Sequence, residues 1–266
     1  MPKVREIASY IEELAPQSLA ESWDNVGLMV GDFEADVKNV FVTLDATSET
    51  VEEAIKHNAD MIITHHPLIF TEIRHVTEQD VTGSIIINLI KNNIAVYSAH
   101  TNFDIANGGM NDILAEKLGL TNVRSYTEEE CTDNSTGRPS ENIGRVGVLE
   151  QPAEMADFVD YVKNALGCAA ISYVGNPSDV VSAAAVCSGS GGDLIYNAYN
   201  AGADVYITSE IKHHQASLAI ELGLNVIDAG HFETENIICG FMESYLKSRF
   251  PELNIHKSSV APYKHR

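Results

Sequence analysis

The stretch Asn58-Ala59-Asp60-Met61-Ile62-Ile63-Thr64-His65-His66-Pro67 sets the architecture of the chain. A polar turn leads into a short apolar run, and the run ends on a threonine, two imidazoles and a proline. An apolar segment this short, bounded by turn residues, reads as a buried strand, and proline stops it. Two adjacent imidazoles at the end of a buried strand are poor core material, so the pair reads as the anchor of a metal site. Successive side chains of an extended strand face opposite ways. The two rings therefore serve different ions, or Pro67 turns the chain so that they converge.

Working outward, Val40-Phe41-Val42-Thr43-Leu44 is a β-branched strand ending on Asp45. Thr47 or Ser48 caps a following helix whose core side carries Val51, Ala54 and Ile55. Strand, helix and strand make a βαβ unit, which implies parallel strands joined by a helical crossover. A further helix over residues 83–92 and a strand over 94–98 extend the sheet. They lead into Ala99-His100-Thr101-Asn102-Phe103-Asp104, and a helix over 110–118 follows, ended by Gly119. Upstream, Val4, Ile7, Ala8, Ile11 and Leu14 fall on one face of an N-terminal helix closed by Pro16. Glu21-Ser22-Trp23-Asp24-Asn25-Val26-Gly27-Leu28 reads by its spacing as a loop entering a strand.

Downstream the pattern recurs. Ala203-Asp204-Val205-Tyr206-Ile207-Thr208 repeats the form of Ala59 to Thr64 at an offset of 144 residues. The same offset carries Phe41-Val42 onto Ala185-Val186, and Asn225 to Ala229 parallels Ala95 to Ala99. The expected fold class is thus α/β, with two related halves built on mixed or parallel sheets. The first half covers 1–126 and the second 142–266. Between them, 127–141 is acidic and polar and reads as a linker. Helices are expected over 193–201 and from His231 to about 248.

Composition narrows the function. With 38 acidic residues against 17 basic ones the formal charge is −21, which disfavours a generic nucleic-acid coat, since phosphate binding draws on Lys and Arg. No apolar run is long enough to span a membrane, and residues 1–15 lack the apolar region of a signal peptide, so a cytoplasmic protein is expected. Cys131, Cys168, Cys187 and Cys239 form no Cys-x-x-Cys and read as buried thiols.

In open α/β sheets ligands bind beyond the carboxyl ends of the strands. Asp45, His65, His66, His100 and Asp104 fall there in the first half, and Ser188, Glu210, His214, His231, Glu233 and Glu235 in the second. His231 and Glu235, spaced i, i+4, share one helix face. His65, His66, Asp104, His231 and Glu235 are too many ligands for one closed tetrahedral ion. They suit two divalent ions with a bridging carboxylate, and the mix of imidazole and carboxylate favours zinc, iron, manganese or nickel. Glu210, His100 and His214 are the candidates for moving protons. Ser188-Gly189-Ser190-Gly191-Gly192, between strand and helix, is either a tight turn or an anion cradle in which Ser188, Gly189 and Ser190 would hold phosphate. His57, His75, His256 and His265 read as surface residues.

Four ordered motifs, Glu21 to Leu28, Thr64 to Pro67, Ser98 to Asp104 and Gly230-His231-Phe232-Glu233-Thr234-Glu235, resemble the Nif-three-like family, often labelled GTP cyclohydrolase I type 2. The resemblance spans nearly the whole chain. It implies a two-domain α/β subunit with a dinuclear metal centre between the halves, assembled as a homo-oligomer, commonly a hexameric ring. Carried over by position, it makes His66 and Asp104 ligands of one metal, His65 and His231 ligands of the other, and Glu235 the bridge. The label implies a metal-dependent hydrolase that opens the guanine imidazole ring of a nucleotide-like substrate and releases formate. A metal-binding regulatory or metal-chaperone module without catalysis is the competing expectation.

Overall fold

A computed structural model describes residues 1–126, 143–258 and 260–264. The chain forms two compact units, one of Met1–Phe103 with Ile238–Pro262 and one of Asp104–Ile237 with Tyr263–Arg266. In chain order the elements are α1 (Val4–Leu14), β1 (Gly27–Val30), β2 (Asn39–Thr43), α2 (Ser48–Lys56), β3 (Met61–Thr64), α3 (Val81–Lys91) and β4 (Ala95–Ser98). There follow α4 (Thr101–Ile105), α5 (Met110–Lys117), β5 (Thr121–Ser125), β6 (Arg145–Glu154), α6 (Met155–Leu166), β7 (Ser172–Val174) and β8 (Val180–Val186). The remainder are α7 (Ile195–Asn200), β9 (Val205–Thr208), α8 (His213–Leu222), β10 (Asn225–Asp228), α9 (His231–Glu235), α10 (Ile237–Arg249) and β11 (Asn254–Lys257).

The first unit is a five-stranded sheet in the order β1-β4-β3-β2-β11, parallel except for β1. Phe41, Ile62 and Val96 face Val51 and Ala54 of α2 and Ile85, Ile86 and Leu89 of α3. On the opposite side the Tyr97 hydroxyl donates to Glu12 of α1, whose Val4, Ile7 and Ile11 are fully buried. Strands buried on both faces read as continuous apolar runs, and Met61-Ile62-Ile63 is one. The helix starts are locally encoded. Thr47 caps α2 by accepting from Thr50 N, and Asp80 caps α3 by accepting from Gly83 N. The expected start of α3 at residue 83 is therefore late by two residues, because the Asp80 carboxylate draws the chain into the helix at Val81.

The second unit is a six-stranded mixed sheet, β5-β6-β8-β9-β10-β7, in which β8, β9 and β10 run parallel. Leu114 of α5 and Met155, Phe158 and Val162 of α6 cover one face, with Ala184, Val205 and Ile227 beneath them. Ile195 and Ala198 of α7 and Ala219 of α8 cover the other, over Ala185, Tyr206 and Val226.

The two sheets repeat one device at the expected offset. Phe41 pairs with Ile62 and Ala185 pairs with Tyr206. Asp60 Oδ2 accepts from the amides of Lys38 and Asn39, and Asp204 Oδ2 accepts from those of Ser182 and Ala183.

Several expectations are corrected. Residues 238–262 pack with the first unit and 104–126 with the second, so the halves are not 1–126 and 142–266. The cause is strand pairing: β11 adds in parallel beside β2, and β5 pairs antiparallel with β6. The expected linker, 127–141, lies outside the described residues, as does His265. The expected helix from His231 to about 248 is two, broken at Asn236. The Thr234 hydroxyl donates back to the carbonyls of Gly230 and His231, a side-chain bond that bends helices. The expected helix over 193–201 is a 3₁₀ turn, Gly192–Leu194, followed by α7. His256, expected at the surface, lies half-buried in β11, its ring stacked 4.2 Å from that of His57. Among the described residues no helix is long and apolar enough to cross a membrane.

Candidate metal centre

In the first unit β3 ends at Thr64, so His65 and His66 are released from strand alternation and their rings lie 5.2 Å apart. His100, just past the end of β4, joins them, with ring centroids 5.1 Å from His65 and 5.5 Å from His66. Each of the three offers a ring nitrogen, and these nitrogens lie within 4.8 Å of one another.

Each imidazole is also held from behind. His65 Nδ1 is 2.8 Å from the Ala99 carbonyl, His66 Nδ1 is 2.8 Å from Asp45 Oδ1, and His100 Nδ1 is 2.9 Å from Asp24 Oδ1. A carbonyl or an ionised carboxylate only accepts, so every Nδ1 carries the proton and donates it. In the neutral rings Nε2 is then the nitrogen with the lone pair. Metal-ligating histidines are oriented in this way, by a carboxylate or carbonyl on the far nitrogen.

Asp24 holds its ring with unusual firmness. Its side chain has no exposed area and also accepts from Thr101 N and, at 2.5 Å, from Thr101 Oγ1. Burial alone would raise its carboxyl. The hydrogen bond and charge of His100, with Thr101 and the Asn25 amide, outweigh burial and bring it down to about 2.

In the second unit α9 sets His231 and Glu235 on one face, with Nε2 2.9 Å from Glu235 Oε2. Glu210 Oε1 lies 3.1 Å from His231 Nδ1, so the ring stands between two carboxylates. Glu210 adopts φ +57°, a left-handed conformation uncommon for a residue with a side chain. Asp104, in α4, is buried. Its carbonyl accepts from Asn111 Nδ2 at 3.2 Å, while Asn111 Oδ1 accepts from Ser188 N. The fully buried Asn111 thereby joins the Asp104 turn to the glycine loop.

That loop is committed to the protein itself. Its Ser188, Gly189 and Gly191 amides donate to Asn111 Oδ1, Thr234 Oγ1 and Thr208 Oγ1. The anion cradle expected of Ser188, Gly189 and Ser190 is thus left without two of its three donors, and the loop is the tight turn. Its glycine has a different use: a Cβ at residue 189 would collide with Glu235 Oε1.

Of the residues expected to move protons, His100 lies in the imidazole cluster. Glu210 instead faces His231 Nδ1 as an orienting group, because the backbone turn after β9 aims it there. His214 is exposed on the first turn of α8. Spacing alone missed Asp24 and did not assign Asp45 a partner, since both act through residues distant in sequence. The one available signal was an acid beside the only tryptophan, in a loop with no need of one.

Where the residues are tested against a divalent cation, they fit. Imidazole nitrogens of fixed tautomer, backed by acceptors, and a buried carboxylate set against an imidazole are the donors that zinc, iron, manganese or nickel take.

Known proteins agree with this chain over its length. A protein of Clostridium perfringens named GTP cyclohydrolase 1 type 2 homolog is 40% identical over 233 residues, 88% of this chain and 87% of its own. One of the same name from Clostridium acetobutylicum is 37% identical over 268 residues, covering 98% of each. The crystal structure of a Bacillus cereus protein related to NIF3 superposes with a TM-score of 0.90 at 27% identity, over 100% of this chain and 99% of the other. The profile of the Duf34/NIF3 (NGG1p interacting factor 3) family matches residues 2–263, and the chain belongs to that family.

Proposed function

We propose that this chain is a metal-dependent hydrolase in which His65, His66, Asp104, His231 and Glu235 hold two divalent ions, and that its substrate is a nucleotide-like small molecule. The observation that carries the reading is the convergence of three imidazoles whose Nδ1 protons are all bound from behind. The His231–Glu235 pair supports it from the second unit. GTP is the first substrate to try, because the curated relatives are named for it. A divalent ion bound there supplies Lewis-acid polarisation and a water acidic enough to ionise near neutral pH.

The chain's own residues do the rest. Asp45 and Glu210 fix the rings of His66 and His231. His100 is the proton carrier: Nε2 takes the proton, and the ionised Asp24 at Nδ1 stabilises the imidazolium that results. His214 is too exposed to be held in one orientation and is assigned no step. The proposal includes a ring-shaped homo-oligomer, supported by family membership and measured by light scattering.

The test is to strip the protein with chelator, reload it with zinc or manganese, and assay formate release from GTP. Glu235→Ala is expected to lose both metal and turnover. His100→Gln keeps metal and loses turnover. Asp45→Ala lowers metal affinity roughly ten- to a hundredfold. Full metal loading with no turnover of any nucleotide or phosphoester overturns the hydrolase.

A further inference from the structure

Beside the imidazole cluster stand two large aromatic rings that the fold leaves in water. Trp23 is 45% exposed and Phe70 51% exposed. Their centroids lie 5.8 Å apart with planes at 64°, so together they form a corner, one ring presenting a face where the other presents an edge. His100 closes the corner, edge-on to both at 6.3 and 6.4 Å. A flat group seated there lies one ring away from His65 and His66.

The corner is rigid although exposed. Asp24, next to Trp23, is bound to His100 and Thr101. Asn25 Nδ2 donates at 2.6 Å to the carbonyl of Ile69, the residue before Phe70. Both aromatic backbones are therefore tied down, and Asn25 ties them to each other. Core packing does not call for this, since neither ring is buried. A solvent-facing aromatic pair on an anchored backbone is what a preorganised contact with a ligand requires, because little backbone freedom remains to be lost on binding.

Chemistry selects the ligand class. Aromatic faces are electron-rich and edges electron-poor, so a planar ring stacks on one member and takes the edge of the other. The Asp24 carboxylate beside the corner, in a chain of net charge −21, disfavours an anionic group at this end of the ligand. We infer that Trp23 and Phe70 form the stacking site for a neutral, planar heteroaromatic ring of the substrate, the nucleobase class, with any phosphate directed elsewhere. The inference rests on the hydrolase reading of the imidazole cluster.

Trp23 is the only tryptophan of the chain, so its fluorescence, excited at the red edge, reports the corner directly. Zinc-loaded protein is titrated with guanosine, cytidine and ribose 5-phosphate. Both nucleosides are expected to quench saturably, the purine at lower concentration, and ribose 5-phosphate not at all. Phe70→Ala weakens nucleoside binding roughly tenfold, the order expected for loss of one base–aromatic contact, with zinc binding by calorimetry unchanged. Phe70→Tyr, which keeps the ring, restores the affinity. Trp23→Ala, followed by calorimetry, loses nucleoside binding and retains zinc.

Zinc binding without nucleoside quenching overturns the stacking site and leaves the metal centre standing. Nucleoside quenching without zinc binding does the reverse. Quenching equally strong in Phe70→Ala, or a Trp23 shielded from acrylamide in the ligand-free protein by a second copy of the chain, also overturns the stacking site.

Discussion

Gly189 is held to glycine by its neighbours as much as by its backbone. Its φ is +61°, and a Cβ there would strike Glu235 Oε1 and stand 3.3 Å from His231 Nε2. Gly189→Ala is accordingly expected to turn the Glu235 carboxylate away from His231. Zinc affinity measured by calorimetry should fall at least tenfold while far-ultraviolet circular dichroism stays native. Unchanged affinity would show that Glu235 is not the group that glycine makes room for. Adjacent His65 and His66 announce themselves because two imidazoles at a strand end have no packing purpose. Asp24 and Asp45 do not, since each is one acid among 38 and acquires its role only when folding brings it to a ring 76 or 21 positions away. The glycine loop misleads for a related reason: Gly-Ser-Gly-Gly looks the same whether its amides face an anion or, as here, Thr234 and Thr208.

At the scale of elements, the doubled strand–helix–strand unit was legible because parallel strands buried on both faces must be apolar throughout, and two such runs ended alike at one spacing. Asp60 and Asp204 are part of that duplication. Each crosses to the start of the neighbouring strand and accepts two amides, at 2.8 Å twice in the first sheet and at 2.8 and 2.9 Å in the second. These amides lie where the pairing with the neighbouring parallel strand begins, Val40 pairing with Met61 and Ala184 with Val205. Replacing either aspartate with alanine is expected to cost about 1–2 kcal/mol in urea denaturation, hydrogen bonds to a charged acceptor being the stronger kind but half-exposed here. Amide exchange should accelerate at residues 38–39 in Asp60→Ala and at 182–183 in Asp204→Ala, each leaving the other sheet untouched. No loss of protection at those amides would mean that the aspartates merely lie nearby. The final helix and strand were not legible in the same way. Nothing in Asn254-Ile255-His256-Lys257 says which sheet it joins, because an edge strand with mixed burial lacks the doubly apolar signature, and only its register against β2 shows that the chain returns to the first unit.

Across the whole molecule, buried acids with raised proton affinity link the two units to pH in the same direction. Burial pushes the Cys168 thiol of the second unit up to about 11, with Glu233 adding to it, and pushes the Cys239 thiol of the first up to about 12. Burial also raises Cys187, Tyr126 and Tyr206. The described cysteines are buried, as their spacing implied. Each such group keeps its proton when folded and loses it near its ordinary value when unfolded, which for a thiol is 9.0. Above that pH the unfolded chain binds fewer protons than the native one, so unfolding becomes easier as pH rises. Their contribution is intact below pH 9.0 and is lost progressively as the pH climbs toward 11 for Cys168 and 12 for Cys239. Denaturation midpoints at fixed ionic strength, which holds charge screening constant, should therefore be flat in this respect from pH 7 to 9 and fall beyond it. Cys168→Ala and Cys239→Ala each remove one titrating thiol, and each is expected to make the alkaline fall shallower even where its stability at neutral pH is lower. An alkaline slope identical in both variants and the parent would place the linkage in the tyrosines instead.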